Sequence, residues 1–185
     1  MHPDKKIKNT IIIALFIALG AVFSYFDGII SSAILSLMGP VAFLVPNFKF
    51  GFANIVILIL LYNYKFKECV FAIFLKTMLV ALILGRGPLN FILSLSGSML
   101  SFFGMWFLKK LLPGVKNMTF VSAMGGFLHI IGQLGAIFLI LDPANFETIL
   151  IYSPTFILSG FLTGILVGIL TKKVNASVIQ HLQND

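Results

Sequence analysis

Charge is what this chain has least of. Only 10% of its 185 residues are charged, whereas 59% are hydrophobic and the mean hydropathy is +1.06. A soluble domain wets its surface with roughly a quarter of its residues charged, so an integral membrane protein of one domain follows. A single cysteine, Cys69, excludes an internal disulfide and, at the start of an apolar run, reads as a small buried residue. The six acidic residues stand apart and the three histidines are dispersed. No metal-ligand spacing, no D-D-x-x-D run and no G-x-x-x-x-G-K-[ST] loop occurs. Neither a metal, a magnesium-bound diphosphate nor ATP has a recognisable cradle, and no cofactor is implied. The inventory argues against autonomous catalysis.

What is present is long apolar runs. Spanning helices need about 20 mostly apolar residues, and the chain divides into six such pieces, near 9–26, 50–64, 68–85, 89–108, 119–141 and 148–171. Asp27-Gly28, Pro46-Asn47, Gly85-Arg86-Gly87-Pro88, Pro113-Gly114 and Asp142-Pro143 punctuate them with turn and helix-start chemistry. Lys5, Lys6 and Lys8 before the first run resemble a secretory signal, but the five spans that follow favour an uncleaved first helix. Residues 27–49 are apolar but broken by Gly39-Pro40 and Pro46, and read as an extracytoplasmic hydrophobic loop or a short interfacial helix, either a lid or packing over the helix ends.

The net charge of +7 does not point to nucleic acid, because the basic residues flank apolar runs in twos and threes. Ten of the thirteen fall on one side of a six-span arrangement: Lys5, Lys6, Lys8, Lys65, Lys67, Lys109, Lys110, Lys116, Lys172 and Lys173. The other side holds Lys49 and Arg86 with Asp27, Asp142 and Glu147. The positive-inside rule then predicts a multi-pass protein of the cell membrane with both termini cytoplasmic.

Polar residues within the runs gather at one depth. Lys49, Asn54, Asn90 and Ser94 fall in the outer half, Arg86 at the outer end of the third span, and Lys76 near its middle. His129 and Gln133, four residues apart, share a face of the fifth span. Together they predict a cationic, aromatic-flanked pocket open to the outside, suited to a small anionic or electronegative ligand. Plainer readings stand beside this one. Lys49 and Arg86 fit interfacial anchors that snorkel, His129 fits a packing histidine, and Ser94, Gly97, Ser98 and Ser101 fit close helix packing. Lys76 cannot snorkel from mid-span, and is the strongest candidate for a ligand or internal partner. Ala14, Ala18 and Ala21 form a small-residue stripe on the first span.

Three stretches carry a resemblance: Pro46-Asn47-Phe48-Lys49-Phe50-Gly51-Phe52-Ala53-Asn54, Ser94-Leu95-Ser96-Gly97-Ser98 and His129-Ile130-Ile131-Gly132-Gln133. In order and spacing they resemble the Gx transporter family, also called heptaprenyl diphosphate synthase component I, with Asn47 and Ile130 departing from its pattern. That family is similar to the substrate-binding S-components of energy-coupling factor (ECF) transporters. The resemblance implies an all-α integral membrane protein, a six-transmembrane-helix bundle like an ECF S-component. It implies capture of a vitamin-like micronutrient from outside, and docking on a coupling protein driven by two ATPase subunits. Ala14 and Ala18 would then contact the coupling protein. The alternative is a membrane accessory subunit of prenyl diphosphate or quinone metabolism, with Lys49, Lys76 and Arg86 near a diphosphate.

Overall fold

The computed structural model describes residues 3–37, 39, 49–85, 87–140 and 146–183, with side chains withheld at 3–6, 84 and 176–183. Among the described residues there are six α-helices and no strand: α1 (Pro3–Ser36), α2 (Asn54–Asn63), α3 (Phe66–Leu84), α4 (Gly87–Leu111), α5 (Met118–Ile140) and α6 (Phe146–Gln183), with a 3-10 turn at Val115–Asn117 before α5. Four stretches are long and apolar enough to cross a bilayer: Ile7–Ser36, Gly87–Leu111, Val115–Ile140 and Phe146–Asn175. The protein is therefore a membrane-embedded helical protein. The expectation of six spans meets two departures. Within α3 lie three charged residues, Lys67, Glu68 and Lys76. α2 has ten residues, or about 15 Å of rise, roughly half the hydrocarbon thickness.

α2 is short because it is enclosed. Val56, Ile57, Leu58, Ile59, Leu60 and Leu61 are all buried, so the helix is apolar around its whole circumference, as suits a central element. α1, α3, α4, α5 and α6 all pack around it. The outer helices present apolar side chains to the bilayer, among them Ile11, Leu15, Leu19, Phe107, Leu158 and Leu162. Cys69 is buried in the core, as its apolar setting implies.

The boundary expected after residue 26 is wrong. α1 runs ten residues further, to Ser36, so the first part of the 27–49 segment is helix, not loop. Asp27-Gly28 does not turn the chain outward because Asp27 finds its partners inside the protein, and Gly28 is buried with it. The later part of that segment, including Pro46, Asn47 and Phe48, lies outside the described residues. In α6, Pro154 sits inside the helix and supplies no N–H for the Leu150 carbonyl; Ser153 Oγ donates to that oxygen instead, at 2.9 Å.

Candidate binding site

The site is assembled around five residues of non-helical backbone. Between the described end of α1 and the start of α2, residues 49–53 run through the bundle outside any helix. Irregular backbone at this depth persists only if its polar groups are satisfied by protein. Three helices satisfy it. From α1, the Asp27 carboxylate accepts the N–H groups of Phe50 (3.1 Å), Gly51 (2.9 Å) and Phe52 (3.0 Å), and the Ser31 hydroxyl at 3.3 Å. From α5, the Gln133 carboxamide clasps the Lys49 peptide: its Oε1 accepts the Lys49 N–H (3.2 Å) and its Nε2 donates to the Lys49 carbonyl (3.0 Å). From α6, Thr163 Oγ1 donates to the Phe50 carbonyl at 3.1 Å. Gly51 makes the bend with φ of +96°, a conformation side-chain-bearing residues rarely adopt.

The side chains of this segment meet polar positions on the surrounding helices. Lys49 Nζ donates to Ser24 of α1 (2.8 Å) and Ser94 of α4 (3.0 Å), tying the two helices together. Asn54, at the first turn of α2, reaches Ser101 at 3.4 Å. Lys76 of α3 crosses to Ser98 of α4, also at 3.4 Å, and among the described residues this long hydrogen bond is the one its ammonium makes. On α4, Ser94, Ser98 and Ser101 fall on one face, so small side chains line the side turned to α3 and α5. Gly132 permits the close approach that brings α5 in, since a Cβ there would lie 2.7 Å from the Ser96 carbonyl.

His129 occupies the middle of this cluster. Its ring lies between Gly51 and Gly97, each without a Cβ that would crowd it. It is 4% exposed, yet among the described residues neither ring nitrogen has a partner at hydrogen-bonding geometry. The Asn54 Oδ1 is likewise buried and unpartnered. Buried polar atoms are paired in nearly all cases, so two adjacent residues with open hydrogen-bonding capacity mark a place for a polar group. Taking the ordinary ionisation of each side chain, Lys49 and Lys76 against Asp27 leave one positive charge in excess among the described residues of the cluster.

Of the residues singled out in the sequence, Lys49, Asn54, Lys76, Ser94, His129 and Gln133 are brought together. Asn90 is half-buried, one turn before Ser94 on the same face of α4, and Arg86 lies outside the described residues. Within the described residues the members of the cluster hydrogen-bond and pack against one another, and two cavities lie along α1. One, of about 520 Å³, is lined by Ala18, Ala21, Val22, Tyr25, Leu79, Val80 and Ile83. Another, of about 420 Å³, takes in Ala14, Ile17, Glu68 and Phe71. Ala14 and Ala18 are exposed and Ala21 half-buried. Sequence reasoning missed Asp27 and Ser24 as members. The signal was the spacing of Ser24, Asp27 and Ser31, which share a helix face once α1 is extended past residue 26.

A family profile, heptaprenyl diphosphate synthase component I, matches residues 30–174. The chain belongs to this family. The match takes in every member of the cluster except Ser24 and Asp27, so the heptaprenyl diphosphate synthase component I segment begins within α1, just after the two residues that hold the 49–52 segment from that side. Neither a curated protein nor a solved structure matches the chain.

Proposed function

We propose that this protein is the substrate-binding subunit of an energy-coupling factor type transporter, capturing a small anionic or aromatic micronutrient in the Lys49–Lys76–His129 cluster. One observation carries the reading: a ten-residue helix, α2, begins inside the bundle, with two buried lysines and two unpartnered polar side chains around its first turn. Broken helices whose N-terminal ends face a mid-membrane site are a recurring way to hold anions in carriers, because the helix dipole and the free N–H groups both favour negative charge. In the present conformation Asp27 occupies that role towards the 50–52 amides. An anionic ligand would add to it by neutralising the remaining positive charge, while His129 and Asn54 supply directed hydrogen bonds and Phe50 and Phe52 an aromatic wall.

The ligand would enter from the face opposite the lysine-rich end, and transport would be powered by a coupling protein with two ATPase subunits. Ala14 and Ala18, small and exposed on α1, suit close helix contact with that coupling protein. The protein itself would be non-catalytic. A second reading has an observation of its own: the apolar cavity of about 520 Å³ beside the cluster would hold an isoprenoid tail, in keeping with the family's description. In that case the protein would be a membrane accessory subunit of prenyl diphosphate or quinone metabolism.

Two experiments decide. Native mass spectrometry of the purified protein should find a small anionic or aromatic molecule retained by the wild type and lost from Lys76→Met, with both proteins folded; equal retention would overturn the proposed site. Affinity purification under mild detergent should recover an ATPase-bearing coupling complex, whereas recovery of a soluble prenyl synthase would establish the second reading.

A further inference from the structure

The lysine-rich end of the bundle carries a platform of aromatic rings that the binding site does not use. α3 and α4 run antiparallel, with Phe74 against Phe91 at one end of their seam and Phe66 against Phe102 and Trp106 at the other. At that second end the Phe66 centroid lies 5.2 Å from the Phe102 ring, 6.0 Å from Phe103 and 5.0 Å from Trp106, edge-on to the indole at 62°. Phe102 is fully buried, whereas Phe66 and Phe103 are 37% and 48% exposed, so the platform is rooted in the core and open outwards. Cations rim it. Lys65 and Lys67 flank Phe66 in the chain and are exposed. Of the two consecutive lysines that end α4, Lys109 turns inward to the Leu61 carbonyl, while Lys110 is exposed and lays its ammonium over the Trp106 ring, 3.6 Å from the centroid. Between Asp27 and Asp142 the sequence has a single carboxylate, Glu68, and it accepts the Lys65 N–H. The corner therefore keeps an excess of positive charge.

We infer that this α3–α4 corner is a docking site for a membrane phospholipid of net negative charge, with Lys65, Lys67 and Lys110 at its headgroup and Trp106, Phe66 and Phe103 along its glycerol and upper acyl chain. Spacing supports the assignment. From Lys110 back to Phe103 is about 10 Å of helix rise, enough to cross the interfacial layer of roughly 5–8 Å between headgroups and hydrocarbon. Charge complementarity selects the occupant: rings alone hold any lipid at the interface, but the surplus of lysines beside them favours an anionic headgroup over a zwitterionic one. A free phosphate would meet the lysines and leave the exposed rings uncovered. The site is separate from the Lys49–Lys76–His129 cluster and stands whether or not that cluster captures a ligand.

Trp106 is the only tryptophan of the chain and reports on the corner directly. The full chain is placed in phosphatidylcholine nanodiscs carrying an equal mole fraction of either dibrominated phosphatidylglycerol or dibrominated phosphatidylcholine, whose bromines quench indole fluorescence on contact. The phosphatidylglycerol should quench Trp106 more strongly, as if enriched around it by roughly fivefold for each lysine engaged. Lys67→Gln, which leaves the rings untouched, should lower that enrichment by about the same factor. Lys173→Gln removes the same charge from α6, which packs on α5 and α2, and should leave it unchanged. Equal quenching by the two lipids in the wild type, a comparison that needs no variant, would overturn the site. Equal losses from Lys67→Gln and Lys173→Gln would overturn it as well, because they would trace the preference to the diffuse field of the lysine-rich end.

Discussion

At the scale of the residue, Asp27 and His129 sit a few ångströms from the same backbone segment and have opposite standing. Asp27 is 1% exposed and accepts from three consecutive amides and a hydroxyl. Asp27→Leu would leave those amides buried and unmet and Lys49 without its nearest opposite charge, at a cost on the order of 3–5 kcal/mol. Asp27→Asn keeps one carbonyl oxygen and should cost distinctly less. Unfolding in mixed micelles, followed by circular dichroism, would rank the three proteins. His129 should behave in the reverse way. Since neither nitrogen has a partner among the described residues, His129→Leu should remove no hydrogen bond, and stability should change by less than about 1 kcal/mol while the retained molecule is lost. A loss of several kcal/mol in that variant would mean that the imidazole is a structural member of the core. The sequence made Lys49, Lys76, Asn54 and His129 legible because polarity inside an apolar run is costly and conspicuous. Asp27 was hidden because, beside Gly28, it reads as a turn, and the amides it accepts from lie more than twenty residues away along the chain.

Elements differ in how firmly they are held. α5 touches both α4 and α6 through backbone: a Cβ at Gly164 of α6 would lie 2.6 Å from the Ser122 carbonyl and 2.9 Å from the Ala123 Cα, and Gly132 makes the equivalent contact with α4. Without a hydrophobic force between helices in lipid, such close approach is a principal source of association. Gly164→Ala would therefore force α6 away from α5, and should destabilise the protein by about 2 kcal/mol or more, within the range for overpacking. Gly135→Ala, on the same helix as Ser122 but with nothing within 4 Å of the added methyl, should be neutral or stabilising by up to about 1 kcal/mol, the helix preference for alanine over glycine. Mixed-micelle unfolding of the pair measures the contrast; equal effects would refute it. Among the described residues, the all-helical character and the breaks at Gly85 and at Pro113-Gly114 were legible from hydropathy and Gly/Pro chemistry, while Pro46-Asn47 and Asp142-Pro143 lie outside the described residues. The start of α2 was not legible, since residues 50–53 are as apolar as the helix that follows, and what holds them out of it is the positive φ at Gly51 together with the carboxylate of a different helix.

At the scale of the whole molecule, the polar groups fall into two layers. The cluster around Lys49 and Lys76 forms one. The other gathers where α2 ends: Lys109 Nζ caps the Leu61 carbonyl at 2.7 Å, Asn63 donates to Asn175 of α6 at 2.7 Å, and Lys110 lies over the Trp106 ring at 3.6 Å. Lys65, Lys67, Lys116, Lys172 and Lys173 belong to the same end by their places on the helices. Such a lysine-rich end belongs in the cytoplasm if the positive-inside rule governs this chain, which would open the remaining face of the bundle to the exterior. The single cysteine makes this testable with little background, because Cys69 is buried. Lys116 and Gly39 are both exposed, at opposite ends, and a cysteine at either can be probed in the wild-type background. A membrane-impermeant maleimide applied to intact cells should label Gly39→Cys and spare Lys116→Cys until the membrane is permeabilised. The inverse pattern would place the lysine layer outside, and with it the whole direction of ligand capture would have to be reversed.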